Sequence, residues 1–261
     1  MLRRDFCLSL IAWTVLSTNV LAEESIDLVD LAGRQRMLTQ RIAKSYAQVG
    51  ANVLPRLSSM VLQDSMDAFS AQQVRLRSRA ILPDQQKLIA VLDGQWAEVI
   101  ALTNLPVDKG RAAELQTKVN AMERLFSQLT YLLRGAHSPK PGKMVTIAGR
   151  QRMLSQRITK AYMLRAWGVD IPNLRIEMAI AADEFSAGLL VLQQAPENTQ
   201  DVLRELLSIN SQWEWLQGAF DSEDPLSKAA LIAERSEALL SDLETLTGSY
   251  SRFAAPGAAL R

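Results

Sequence analysis

Cysteine and histidine are almost absent from this chain. One of each occurs among 261 residues, Cys7 and His137. Cys7 falls in an N-terminal segment read below as removable. The remaining chain then has no disulfide, no thiol nucleophile and no thiolate metal site. A single histidine in a Pro-rich stretch excludes the usual His-based acid–base and metal chemistry, and its simplest place is solvent. No stretch shows sustained two-residue alternation, so no sheet is expected. No Gly-rich loop joins a strand to a helix, so no phosphate cradle is expected. Charge of one sign is not in excess, with 29 basic residues against 28 acidic ones. No global field therefore favours nucleic acid. After Leu21 no further apolar run reaches membrane length. These absences point away from an enzyme, and no cofactor is implied.

The N-terminus reads as a targeting segment. Arg3 and Arg4 form a positive start, Phe6 to Leu21 is mostly apolar, and Val20-Leu21-Ala22 suits cleavage after Ala22. Arg3-Arg4-Asp5-Phe6 also has the look of a twin-arginine export signal, though the residues after Phe6 depart from that pattern. An uncleaved anchor is the alternative. Loss of Arg3, Arg4 and Asp5 leaves 27 basic and 27 acidic residues, a formally neutral exported chain with a periplasmic location expected.

What is present is a repetition. Ala32-Gly33-Arg34-Gln35-Arg36-Met37-Leu38-Thr39-Gln40-Arg41-Ile42-Ala43-Lys44-Ser45-Tyr46 recurs 116 residues later as Ala148 to Tyr162. Twelve of the fifteen positions are identical. Such self-similarity marks a tandem duplication. It extends further: Asp67-Ala68-Phe69-Ser70-Ala71 matches Asp183 to Ala187, Gln95-Trp96 matches Gln212-Trp213, and Glu123 to Leu132 resembles Glu237 to Leu246.

Apolar residues at three- and four-residue steps predict helices throughout. In the first half they run from about Ile26 to Gly50, with Ser25 as cap, then Arg56–Arg79, Asp84–Thr103 and Asp108–Arg134. In the second half they run over Met144–Gly168, Pro172–Gln194, Glu197–Phe220 and Ser222–Tyr250. Pro and Gly mark most connections. The fold class is all-α: two tandem antiparallel four-helix bundles related by internal duplication. Residues 23–135 form the first, 136–143 the linker, 144–250 the second and 251–261 a loose tail. Tyr46/Tyr162, Phe69/Phe185 and Trp96/Trp213 are expected as core anchors.

The first helix of each half has two faces. Leu28, Leu31, Leu38, Ile42 and Val49 make an apolar stripe. Gly33, Arg36, Met37, Gln40 and Lys44 make another, by steps of three and four. Glycine inside a helix costs about 1 kcal/mol against alanine, so Gly33 and Gly149 suggest that a second helix or a small ligand comes close. The guanidinium is a rigid, permanently charged fork suited to a planar oxyanion. If the two signature helices pack together, Arg36 and Arg152 can meet across a pseudo-two-fold axis with an anion between them.

The spacing Ala32-Gly33-x-x-Arg36-Met37-x-x-x-Arg41 resembles the periplasmic P-box of bacterial nitrate/nitrite sensor kinases, the NarX-like group. The fuller Ala-Gly-Arg-Gln-Arg-Met-Leu-Ser-Gln-Arg form is similar to the N-terminal domain of PilJ-like, type IV pilus methyl-accepting chemotaxis transducers. The nitrate-sensor resemblance implies a small inorganic anion, nitrate or nitrite first, held by Gly33 and Arg36 with Gly149 and Arg152. Arg41 and Arg157 match the second P-box arginine. Arg34, Gln40, Arg150 and Gln156 stand beside them as secondary candidates. Both copies lie in one polypeptide, so the homodimer of the family becomes an intramolecular pair. With no kinase of its own, such a chain needs a membrane receptor or sensor kinase as partner. The other reading is an interaction or scaffold module, chemosensory or pilus-associated, with no small ligand. In that reading Arg34, Arg150, Arg41 and Arg157 pair with carboxylates, Asp67 and Asp183 being the ready ones, and Lys44 and Lys160 are solvated or ion-paired.

Overall fold

The computed structural model describes residues 5–134 and 140–254, with side chains over 27–134 and 143–252. The side chains of the targeting segment, most of the expected linker including His137, and the tail from residue 255 lie outside the described residues. Eight helices follow in order: α1 (Asp5–Gly50), α2 (Pro55–Arg79), α3 (Pro83–Thr103), α4 (Lys109–Arg134), α5 (Lys140–Ala166), α6 (Leu174–Gln193), α7 (Gln200–Phe220) and α8 (Pro225–Ala254). Among the described residues there is no strand. No described helix is long and apolar enough to cross a membrane.

Two boundaries differ from expectation for local reasons. α1 does not start at a Ser25 cap but runs unbroken from Asp5. No Gly or Pro precedes Gly33 in that stretch to interrupt it. α5 starts at Lys140, inside the expected linker, and Pro141 is tolerated because it falls in the first turn, where its missing N–H has no helical partner anyway. At the other end of α1 and α5, the helices stop in the same way. Asn52 and Gly168 both adopt positive φ, 56° and 71°. The next N–H then returns to the helix: Val53 N to Gln48 O at 2.8 Å and Val169 N to Leu164 O at 3.0 Å. These are Schellman caps, and asparagine and glycine are the residues that tolerate the left-handed turn.

The first bundle is closed by α1 packing on α2 and α4, with α3 on α4. The second repeats this with α5 on α6 and α8, and α7 on α8. Each core centres on a tilted aromatic pair. Phe69 and Trp96 have ring centroids 4.1 Å apart, and Phe185 and Trp213 have theirs 4.3 Å apart. Each indole N–H donates to the serine one residue beyond the phenylalanine, Ser70 at 3.3 Å and Ser186 at 3.0 Å. Tyr46 and Tyr162 are buried, and each hydroxyl reaches the backbone leading into the last helix of its bundle, at Asp108 N and Pro225 O. The aromatic anchors thus sit where the periodicity expected them.

The most extensive helix–helix packing in the molecule joins the two bundles, α1 against α5. Asp30 of α1 meets Arg152, Gln40 meets Lys160 and Tyr46 meets Trp167. The two helices therefore run parallel. The Gly33–Arg36–Gln40–Lys44 stripe is this seam, and the apolar stripe faces its own bundle. Phe185→Ala should destabilise the protein by about 3–5 kcal/mol, read as a lowered urea midpoint. A loss under ~1 kcal/mol would mean that the aromatic pair does not anchor its bundle.

Candidate functional site

Packing two cationic helices side by side places charge where water is excluded. Arg36, Lys44, Arg152 and Lys160 are all buried, the last three at 0–1% exposure. A buried charge must be paired or lose its proton, so the partner of each defines the site.

Arg36 turns into its own bundle. Its Nη2 and Nε both donate to Glu123 Oε1 of α4, at 2.7 and 3.1 Å, and Ser127 Oγ donates to the same oxygen at 3.0 Å. Burial works to raise the Glu123 carboxyl's pKa, but Arg36 outweighs it and holds the group below its ordinary value. Arg152 turns across the seam. Its Nη2 donates to Asp30 Oδ1 of α1 at 2.5 Å, while Nε and Nη1 are buried without a partner. Asp30 also accepts from Arg34 Nε at 3.0 Å. Burial pushes the Asp30 carboxyl up, and Arg152 and Arg34 together bring it below the ordinary value.

Arg36 and Arg152 therefore hold separate protein carboxylates, Glu123 and Asp30. At the repeat offset of 116, the counterpart of Asp30 is Thr146. Arg152 finds an acid across the axis and Arg36 does not. Gly33, Arg36, Gly149 and Arg152 nevertheless line one cavity, together with Asp30, Thr130, Thr146 and Arg150. Its volume is about 10 Å³, near the minimum for one water. The glycines are not where two backbones touch. A Cβ on Gly33 would lie 3.6 Å from Arg152 Nη2, and one on Gly149 would lie 3.3 Å from the same atom. They make room for a guanidinium.

The remaining candidates divide. Arg34 pairs with Asp30 and lies 3.9 Å from Glu244 of α8. Arg150 gives both its bonds to Glu184, at 2.7 and 2.9 Å. Arg41 and Lys44 both bond Glu237 of α8 and so tie α1 to the other bundle. Asp67 and Asp183 are not the partners of these arginines. Glu184, one position past Asp183, takes Arg150, and Asp67 accepts from Gln63 at 3.0 Å. Burial alone would raise Glu237, yet Lys44 and Arg41 hold it down at about 2. Arg157 keeps a buried Nε without a partner. Gln156 Nε2 reaches Ser236 O at 3.5 Å.

Lys160 is the residue that sequence reasoning misjudged. It is buried, not solvated, and donates to two neutral oxygens, Gln40 Oε1 at 2.6 Å and Asn120 Oδ1 at 2.9 Å. Its repeat counterpart Lys44 has Glu237. The matching acid in the first bundle, Glu123, is already taken by Arg36. Burial, helped by repulsion from Arg157, pushes the Lys160 pKa down to about 7. The signal was present, since Lys44 shares the Gly33–Arg36–Gln40 stripe and Glu123 and Glu237 both lie in duplicated segments.

This is a paired helical-bundle module in which acids from other helices pair three of the four buried cations, and amide oxygens take Lys160. Among the described residues, no group of three or more His, Cys, Asp or Glu could hold a metal ion. Residues 136–246 match the PilJ family, described as the type IV pili methyl-accepting chemotaxis transducer N-term, a family of non-catalytic sensory domains. The match takes in α5 to α7 and most of α8. No curated protein and no solved structure matches the chain.

The folded pKa of Lys160 lies below the ordinary 10.5, so the unfolded chain binds that proton more tightly. Stability then falls as pH drops from about 10.5 to about 7 and flattens below it. Lys160→Met removes this component. Relative to wild type, the variant should gain stability as pH falls through that window. Urea unfolding near pH 6 and near pH 10 checks it, and an equal difference at both would show an unshifted lysine.

Proposed function

We propose that the chain is an exported, non-catalytic sensory protein built from two PilJ/NarX-like bundles. It takes a small oxyanion, nitrate or nitrite first, between α1 and α5 and reports to a membrane receptor or sensor kinase. One observation carries this reading: the guanidinium of Arg152 is fully buried, and two of its donors have no partner. Unmet charge-assisted donors in a dry site favour an anion strongly. The cavity beside them is lined by Gly33, Arg36 and Gly149.

Binding is then an exchange. Asp30 already occupies Nη2 of Arg152, so an incoming oxyanion displaces a resident carboxylate. Asp30 keeps Arg34 when it leaves. The closed cavity is too small for the ligand, so α1 and α5 must part locally to admit it. A ligand that prefers the parted state shifts the population toward it. The seam is the principal junction between the bundles, so occupancy becomes a change in their relation that a partner can read.

The second reading is a scaffold with no small ligand. It is favoured by the ion pairs that already neutralise Arg36 and Arg152, at Glu123 and Asp30. Thermal unfolding of the chain from residue 23 onward, in nitrate, nitrite, sulfate, phosphate, chloride and small carboxylates at constant ionic strength, separates the two. A binding protein gains about 2.7 kcal/mol at a hundredfold excess over Kd. The gain should be specific to one anion, vanish in Arg152→Ala, weaken in Arg36→Ala and grow in Asp30→Asn, which removes the competing charge. No selective shift with any salt would leave the scaffold reading.

A further inference from the structure

The second bundle carries a cleft of about 410 Å³ between the end of α5, the first half of α6 and the end of α7. That is within the size range of small-molecule sites, roughly 300–1,000 Å³. It shares no lining residue with the α1/α5 cavity. Its walls hold both signs of charge. Arg165 and Arg175 supply two guanidiniums, Asp183 and Asp221 supply two carboxylates, and Met178 and Phe220 are among its apolar residues.

Among the described residues neither arginine is bonded to a carboxylate, although Asp221 lies close enough to favour the charged form of Arg165. Arg165 lies in the last turn of α5. Its Nη2 donates to Phe220 O at 3.0 Å, and its guanidinium sits 5.3 Å from the centre of the Tyr162 ring. Its Nε is buried without a partner. Neither Arg165 nor Arg175 makes an ion pair among the described residues. Burial lowers the Arg165 pKa, and the charge of Arg175 lowers it further. Two cations and two carboxylates round one open cleft offer complementary charge to a ligand that carries both signs.

The duplication supplies an internal control. At the offset of 116, Arg165 corresponds to Val49 and Arg175 to Ser59, while Asp183 corresponds to Asp67. Phe220 and Asp221 correspond to Thr103 and Asn104 at the offset of the tryptophans. The same helical scaffold forms in the first bundle without either arginine. The pair is thus a feature of the second bundle and not of the shared scaffold.

We infer that this cleft is a second ligand site, built only in the second bundle, for a small α-amino acid with an apolar side chain. Arg165 and Arg175 take the carboxylate. Asp183 and Asp221 take the ammonium. Met178 and Phe220 pack against the side chain. A ligand with both charges uses both pairs, whereas a plain carboxylate leaves the two aspartates facing apolar surface.

Isothermal titration of the full chain with leucine, valine and methionine tests the inference. Controls are 4-methylpentanoate, which lacks the amine, and 3-methylbutylamine, which lacks the carboxylate. At least one amino acid should bind, and both controls should bind at least about tenfold more weakly, each losing one charge-assisted contact. Arg175 is exposed, so Arg175→Ala should fold normally and weaken the amino acid about tenfold or more. Asp183→Asn should weaken the amino acid and leave 4-methylpentanoate no weaker, since the lost charge also repels a carboxylate. Absence of binding by all three amino acids overturns the inference, as does binding unaffected by Arg175→Ala. A carboxylate that binds as tightly as the amino acid overturns the ligand class.

Discussion

Four cations buried between α1 and α5 set the terms for much of this molecule. Arg36, Lys44, Arg152 and Lys160 lie on facing stripes of two parallel helices. Leaving one such charge unpaired costs several kcal/mol. Each therefore draws a partner from another helix. Glu123 comes from α4, Glu237 from α8 and Asp30 from across the seam. The bundles are consequently held in a fixed relation by polar contacts with directional geometry as well as by apolar burial. A purely hydrophobic seam could slide by a turn at small cost, whereas this one would strand charges.

The partners do not repeat as the cations do. Among the described residues three of the four buried cations pair with acids, and Lys160 receives two amides instead. Arg152 is held through one of its three nitrogens. The seam is thus slightly under-compensated at one end and relies on a proton-labile lysine at the other. An arrangement optimised only for stability would fill these gaps. Both lie at the junction of the bundles.

Much of the fold was legible because a duplicated sequence states each feature twice. The Gly33–Arg36–Gln40–Lys44 stripe could be separated from the apolar stripe by helical spacing alone, and it proves to be the seam. The aromatic anchors followed from their matching offsets. The start of α1 was misread because Ser25 is a good cap residue in a stretch that has nothing to stop a helix from continuing. The partners were not legible, since Arg36, Arg152 and Arg41 meet acids 87, 122 and 196 residues away. No local rule predicts pairings at that range. Asp67 and Asp183 were attractive because they repeat, yet Asp30, whose counterpart is Thr146, faces Arg152. The state of Lys160 was least accessible, because it depends on Glu123 being already committed to Arg36.

That single acid has a consequence for the kind of output the molecule can give. Two identical subunits around a two-fold axis must carry a carboxylate on both sides or on neither, so any central site they build is indifferent to direction. With both halves in one polypeptide, Asp30 can stand opposite Arg152 while the corresponding position in the other half is Thr146. At the centre one guanidinium is engaged across the seam and the other within its own bundle. The seam therefore has an inherent polarity, and its two faces are free to drift apart.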